Sequence, residues 1–417
     1  MTTNETAFTN AQKQLKKSFD LLNWYSKNYL EYVLNPNKII EVNIPVMMDD
    51  WTLKNFVWYR SQHSNVIWPF ILWIRFHQDV NIDEVKALSI WMSIKTWVVD
   101  IPLWGWKGWI IVNPHDLSQA ELEKLSRWYV REIYKNIWPN TDIPAPDVNT
   151  NWQIMAWMVD EYMKLTWTND LWTFTWKPLA IWWSLWRDKA TAQWWLFVLE
   201  KYLDLANIKL SWKKVIIQWL WNAWLTMLKL LKEKWVIIVW VADSKTWIYN
   251  ENWLDFDEII RLKSERLPIE TYPNATKLSP KENKTKKTDI LIPAALENQI
   301  TLENVEDIKA NIILELANWP ITANADEILF NKNIVVIPDI LANAWWVMVS
   351  YFEQVQNNQN YYWDLKELDE KLFSKITKAT NDVYEISNIH KVSLRDWAYM
   401  ISLKRIFDAL KYRWEIK

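Results

Sequence analysis

The chain has almost no glycine and no cysteine. Only 2 of its 417 residues are glycine, where average usage is about 7%. A chain of this length must turn many times. Several turn types need a residue at positive φ, which glycine supplies almost alone. Zero cysteine excludes disulfides, thiol catalysis and thiolate-bound metal, and fits a reducing, cytoplasmic setting. The four histidines are scattered at 63, 77, 115 and 390, so no metal site is expected. No run of about 18 apolar residues is free of charge, and the N-terminal "MTTNETAFTNAQKQLKKSF" has no apolar signal core. Neither a membrane span nor a secretory leader is expected. A net charge of -2 gives no basic surface for nucleic acid.

Tryptophan is in excess, with 36 residues. Glycine and tryptophan together come close to the glycine count of an ordinary chain of this length. We read most tryptophan letters as glycine, as they would be if UGA codons encoding glycine had been translated as tryptophan.

Length suggests two or three domains. Residues 5–34 have apolar residues at helical spacing and predict one amphipathic helix. "KIIEVNIPVMMDD" and "LKNFVWYRSQHS" alternate and predict paired strands joined at "DDWT". Asn81 is an N-cap candidate, and Ser118 with Glu121 forms a capping-box pattern. Further on, "KKVIIQWLWNAWLTMLKLLKEK", "WVIIVWVADS", "TDILIPAAL", "ANIILELAN" and "NIVVIPDIL" are apolar runs at βα intervals. They predict a doubly wound parallel sheet. The tract "NATKLSPKENKTKKTD" reads as a polar surface insertion, and the text after "WWVMVSYFEQVQNN" as helices. The expected class is α/β, in three blocks. Residues 1–184 form a substrate-binding and oligomerisation domain, 185–343 a dinucleotide domain of Rossmann type, and 344–417 helices that complete the first domain.

Two stretches carry chemistry. With Trp219, Trp221 and Trp224 read as glycine, "VIIQWLWNAW" becomes strand–GLGNAG–helix. The glycines give a tight turn, close approach to a pyrophosphate and close helix packing, and the helix N-terminus at Asn222 favours the phosphates. Asp243 ends the next strand, where a ribose-binding carboxylate belongs. It favours NAD, while Ser244 and Lys245 could hold the 2′-phosphate of NADP. The second stretch, "PLWGWKGWIIVNP", becomes PLGGGKGGIIVNP, a flexible glycine-rich run around Lys107. A buried lysine loses basicity and can serve as acid or base. A solvated loop lysine fits the spacing equally well.

Several long stretches together resemble the glutamate dehydrogenase family, the Glu/Leu/Phe/Val dehydrogenases: "PLWGWKGWIIVNP", "PAPDVNTNWQIMAWMVDEY", "TWKPLAIWWSLWRDKAT", "ILIPAALENQIT", "ELANWPIT", "ILANAWWVMVSYFE" and "SLRDWAYMISLKRIFDALKYRW". Tryptophan repeatedly falls where that family has glycine, although Trp157 and Trp91 look genuine. The resemblance implies reversible NAD(P)-dependent deamination of L-glutamate to 2-oxoglutarate and ammonia by a homohexamer, without nucleic-acid or membrane partners. It implies Lys107 as the catalytic lysine and Asp147 as the proton shuttle. It also implies Lys95 on the substrate α-carboxylate and Ser350 on the distal carboxylate. Arg187 and Thr191 would line the site near the nicotinamide, with Asn318 and Asn343 also on the cofactor side. The sequence departs from the family at Ile71 and Leu72, in "WPFILWIRFH". There the glutamate enzymes have the lysine that pairs with the γ-carboxylate, followed by a glycine, and no change of code restores either. An apolar residue at position 71 points to a leucine- or valine-type substrate. A non-catalytic dinucleotide-binding protein is a further alternative, but it would need none of Lys95, Lys107 and Asp147.

Overall fold

The computed structural model describes residues 6–22, 24–64, 66, 70–182, 190–218, 222–242, 246–265, 267–278, 287–294 and 297–413. They fall into two compact units. Unit 1 comprises Met1–Leu185, Val347–Glu367 and Tyr399–Lys417; unit 2 comprises Trp186–Trp346 and Leu368–Ala398. The stretch Leu368–Ala398, within the C-terminal block expected to complete the first domain, thus groups with unit 2.

Unit 1 begins with α1 (Ala7–Leu21), α2 (Lys27–Leu34), β1 (Lys38–Met47), β2 (Leu53–Gln62), β3 (Phe70–His77), α3 (Ile82–Val98), β4 (Trp104–Ile111), α4 (Gln119–Ile133), β5 (Asp142–Pro146) and α5 (Trp152–Thr166). The single helix expected over 5–34 is two. Leu22 N–H closes the end of α1 on Phe19 O at 2.8 Å, and the Ser26 hydroxyl caps a new helix by accepting from Asn28 N–H. Apolar spacing runs through this break, so periodicity alone hides it.

The five strands order β1-β2-β4-β3-β5. β1 and β2 pair antiparallel from Lys38↔Gln62 to Met47↔Leu53, as their alternation predicts. Their turn places Trp51 at φ 65°. β4 is central, antiparallel to β2 and parallel to β3. Asn81 caps α3 by accepting from Glu84 N–H at 2.9 Å, and the Ser118–Glu121 capping box of α4 is complete. α3 lies so close on β4 that a Cβ at Gly105 would sit 2.0 Å from Ser93 N. Only glycine allows that approach.

Unit 2 continues with α6 (Ala190–Leu205), β6 (Lys214–Gln218), α7 (Asn222–Glu233), β7 (Ile237–Ala242), β8 (Trp247–Tyr249), α8 (Phe256–Ser264), β9 (Thr276–Leu278), β10 (Thr288–Pro293), β11 (Ala310–Leu314), α9 (Ala323–Asn331), β12 (Val335–Ile337) and α10 (Asp339–Ala342). The chain ends with α11 (Trp345–Gln359), α12 (Leu365–His390) and α13 (Leu394–Arg413). The sheet orders β12-β11-β10-β6-β7-β8-β9. It is parallel from β12 to β7, as expected of near-continuous apolar strands buried on both faces. Ile216, Val239, Leu291, Ile313 and Leu329 pack in its core. The remaining edge differs from the expectation: β8 and β9 add antiparallel, and β9 comes from the tract read as a polar insertion. Three-residue strands carry too little pattern to be read from sequence. Among the described residues no helix is long and apolar enough to cross a membrane.

Candidate active site

Lys107 lies on the central strand of the first sheet, not in a flexible loop. Its backbone pairs with Ser61 of β2 on one side and Trp73 of β3 on the other. Gly105, two residues before it, therefore serves packing rather than mobility. The Lys107 side chain is 4% exposed, and its ammonium is ion-paired with Asp147 Oδ2. Asp147 follows β5. Its backbone N–H donates to Thr150 Oγ1 at 2.7 Å, and that hydroxyl donates to Ile74 O at 2.8 Å. This small turn fixes the carboxylate against β3.

Arg75 of β3 makes a second contact, with Nε 3.0 Å from Asp147 Oδ2. Sequence reasoning missed this residue. The signal was present, because Arg75 lies within the "WPFILWIRFH" stretch, four residues after Ile71. Burial lowers the Lys107 pKa to about 8; Asp147 opposes the shift, while Arg75 and Lys95 reinforce it. Asp147 is lifted by burial, but Arg75 and Lys107 outweigh this and hold it well below the carboxylate range. Lys95, half-buried near the end of α3, thus acts on Lys107 electrostatically. Three cations and one carboxylate leave an excess of positive charge, suited to an anionic substrate group.

Ser350 lies on α11 in the same unit and is fully buried. Its hydroxyl accepts from Trp176 Nε1 at 2.8 Å, and Trp176 itself stands at φ 63°. Beside it, Lys177 Nζ is 2.5 Å from Glu353 Oε1, a fully buried pair that fixes the 174–177 segment to α11. Position 71 on β3 pairs in register with Gly105, two residues before the partner of Lys107, but the Ile71 and Leu72 side chains lie outside the described residues. Buried His63, held by Ser93 Oγ and Val33 O at 2.7 Å each, is pushed down to about 4 by burial and is a structural histidine.

The expected dinucleotide residues belong to unit 2. β6, with β10 on one side and β7 on the other, sits where the order of a doubly wound sheet reverses. Ligands bind beyond the carboxyl ends of such strands. α7 starts four residues after the end of β6. Trp219, Trp221, Asp243, Ser244 and Arg187, and the side chains of Thr191, Asn222 and Trp224, lie outside the described residues. Asn318 and Asn343 are described. Asn343 is buried, and its Nδ2 donates to Leu316 O at 2.7 Å; Asn318 is exposed on the loop after β11. These polar groups at the carboxyl end of the sheet fit a dinucleotide.

The family described as Glutamate/Leucine/Phenylalanine/Valine dehydrogenase matches residues 184–413, and its dimerisation domain matches residues 36–164. An NAD-specific glutamate dehydrogenase of Staphylococcus aureus is 41% identical over 413 residues, covering 99% of each chain. The glutamate dehydrogenase of Peptoniphilus asaccharolyticus superposes with a TM-score of 0.87 at 38% identity, covering 98% of this chain and 99% of that one. The hetero-hexameric enzyme of Thermus thermophilus, in a leucine-bound form, gives 0.90 at 26% identity, covering 100% and 99%.

Proposed function

This chain belongs to the Glu/Leu/Phe/Val dehydrogenase family and is an amino-acid dehydrogenase acting on CH–NH2 donors, and from that premise we propose that it deaminates L-glutamate reversibly with NAD. The observation that carries the reading is the buried Lys107–Asp147 pair braced by Arg75. The dinucleotide, when bound, accepts the hydride from Cα. Lys107, poised near neutrality, takes and returns the proton of the water that attacks the iminium carbon. Asp147 moves protons to and from the amino nitrogen, and Lys95 holds the α-carboxylate. The S. aureus relative supports NAD over NADP, and the hetero-hexameric relative supports six subunits.

Ile71 favours a second reading, the same chemistry on an apolar amino acid. A carboxylate left without its partner in a desolvated pocket typically costs about 3–5 kcal/mol. Comparing kcat/KM for glutamate, leucine, valine and norvaline decides. Glutamate preferred by orders of magnitude supports the first reading; a preference for leucine or valine replaces it with the second.

We also propose that most tryptophan letters denote glycine. Trp51, Trp167, Trp176, Trp182, Trp212, Trp235 and Trp319 all have φ between 51° and 68°, where bulky residues are outliers. Among the described residues, the buried indole N–H groups of Trp58, Trp104, Trp106, Trp109 and Trp240 have no acceptor, although buried polar groups are normally paired. The Arg60 guanidinium carbon lies 2.8 Å from the Trp106 ring centroid, inside van der Waals contact. The intact mass of the native protein is expected well below 50.5 kDa. A mass equal to that value would overturn the recoding.

A further inference from the structure

We infer that Arg395 is a positioning residue for the dinucleotide, locking together the two loops that carry Asn318 and Asn343. This rests on the dinucleotide reading above. Arg395, at the start of α13, meets three carboxylates with three different nitrogens. Nη2 is 2.6 Å from Glu315 Oε1, Nη1 is 3.2 Å from Asp339 Oδ1, and Nε is 3.2 Å from Asp326 Oδ2. All four residues are more than nine-tenths buried.

Two of these carboxylates sit where the loops begin. Glu315 follows the last residue of β11, and Asp339 is two residues beyond β12. Glu315 Oε2 accepts from Asp339 N–H at 2.8 Å, which ties one loop to the other. Asp339 Oδ2 accepts from Trp319 N–H at 3.2 Å, one residue after Asn318. Asn343 closes the arrangement through its backbone N–H to Asp339 O and its side chain to Leu316 O, at 2.7 Å each. The two asparagines are therefore spaced by a lattice in which the carboxylates face one another. A buried cluster of like charge needs a counter-cation to stay together. The planar guanidinium fork presents a different nitrogen to each carboxylate in a fixed geometry. Glu315 faces Arg395 of α13, Asp339 of α10 and Asp326 of α9; burial pushes its carboxyl up, and Arg395 works against that rise.

The test uses NADH titrated by fluorescence, with steady-state kinetics, on wild type, R395M, R395K and R395M/E315Q, each checked for folding by thermal melting. R395M is expected to weaken NADH binding by about tenfold or more, equivalent to about 1.4 kcal/mol. The dinucleotide KM rises with it, while the amino-acid KM stays within about twofold. E315Q in the R395M background recovers part of the affinity, because glutamine keeps an acceptor for Asp339 N–H and removes one charge. If R395M fails to melt cooperatively, R395K, with a cation but no fork, is expected to show the same pattern with a smaller loss. NADH affinity unchanged in a folded variant overturns the inference. So does a loss shared equally by both substrates, which would be mere packing. Wild type that does not bind NADH would instead overturn the dinucleotide reading on which this one rests.

Discussion

Lys107→Ala lowers kcat for amino-acid-dependent NAD reduction by about 10³-fold, in the range typical of losing a general acid–base group, and leaves NADH binding unchanged. The residues proposed to hold the dinucleotide belong to unit 2 and Lys107 to unit 1, so binding and chemistry should separate in this variant. Absorbance at 340 nm reads the first, fluorescence titration the second. Residual turnover within tenfold of wild type would remove Lys107 from the chemistry. The wild-type pH profile adds an independent check. In the deamination direction Lys107 must be neutral to take a proton, so kcat/KM should climb with pH to a limb near 8, the value to which burial depresses it. The sign for stability follows from the same shift. Both folded and unfolded forms carry the charge below about 8, so the burial cost is fully present there. It fades as pH rises toward the ordinary value of 10.5.

Glycine at the seven tryptophans of positive φ should stabilise the written chain by about 1–2 kcal/mol per position, the cost of a left-handed backbone for a residue with a Cβ. The sum is comparable to the whole stability of an ordinary domain, about 5–15 kcal/mol. Urea unfolding of the written chain and of the seven-glycine variant measures it directly. Equal midpoints would sink the recoding as a structural argument. One of the seven also bears on function: at position 176, glycine removes the indole that engages the Ser350 hydroxyl and leaves that hydroxyl for a substrate carboxylate.

Much of this molecule was legible in the residues. The β1–β2 hairpin announced itself by alternation, α3 and α4 by Asn81 and by Ser118 with Glu121, and the second sheet by apolar runs at βα spacing. Lys107 and Asp147 were chosen from the family resemblance, and the fold makes them an ion pair. What stayed hidden was set by tertiary pairing. The first-helix break depends on a local cap inside an unbroken apolar period, and β8 and β9 are too short to carry a pattern. Arg75 lies in "WPFILWIRFH" and Arg395 in "SLRDWAYM". An arginine on a strand or at a helix start has no spacing signature; its meaning comes from carboxylates 72 and 56 to 80 residues away in sequence.

The placement of Lys107 on an interior strand also bears on how such an enzyme can change over evolutionary time. Backbone amides fixed by a neighbour on each side are the last to exchange with solvent and the least free to drift. Selection can then rewrite the residue at position 71, one strand over, and alter what is accepted without disturbing the group that reacts. Position 71 and Lys107 stand on neighbouring strands, so a replacement at the first leaves the backbone pairing that holds the second in place.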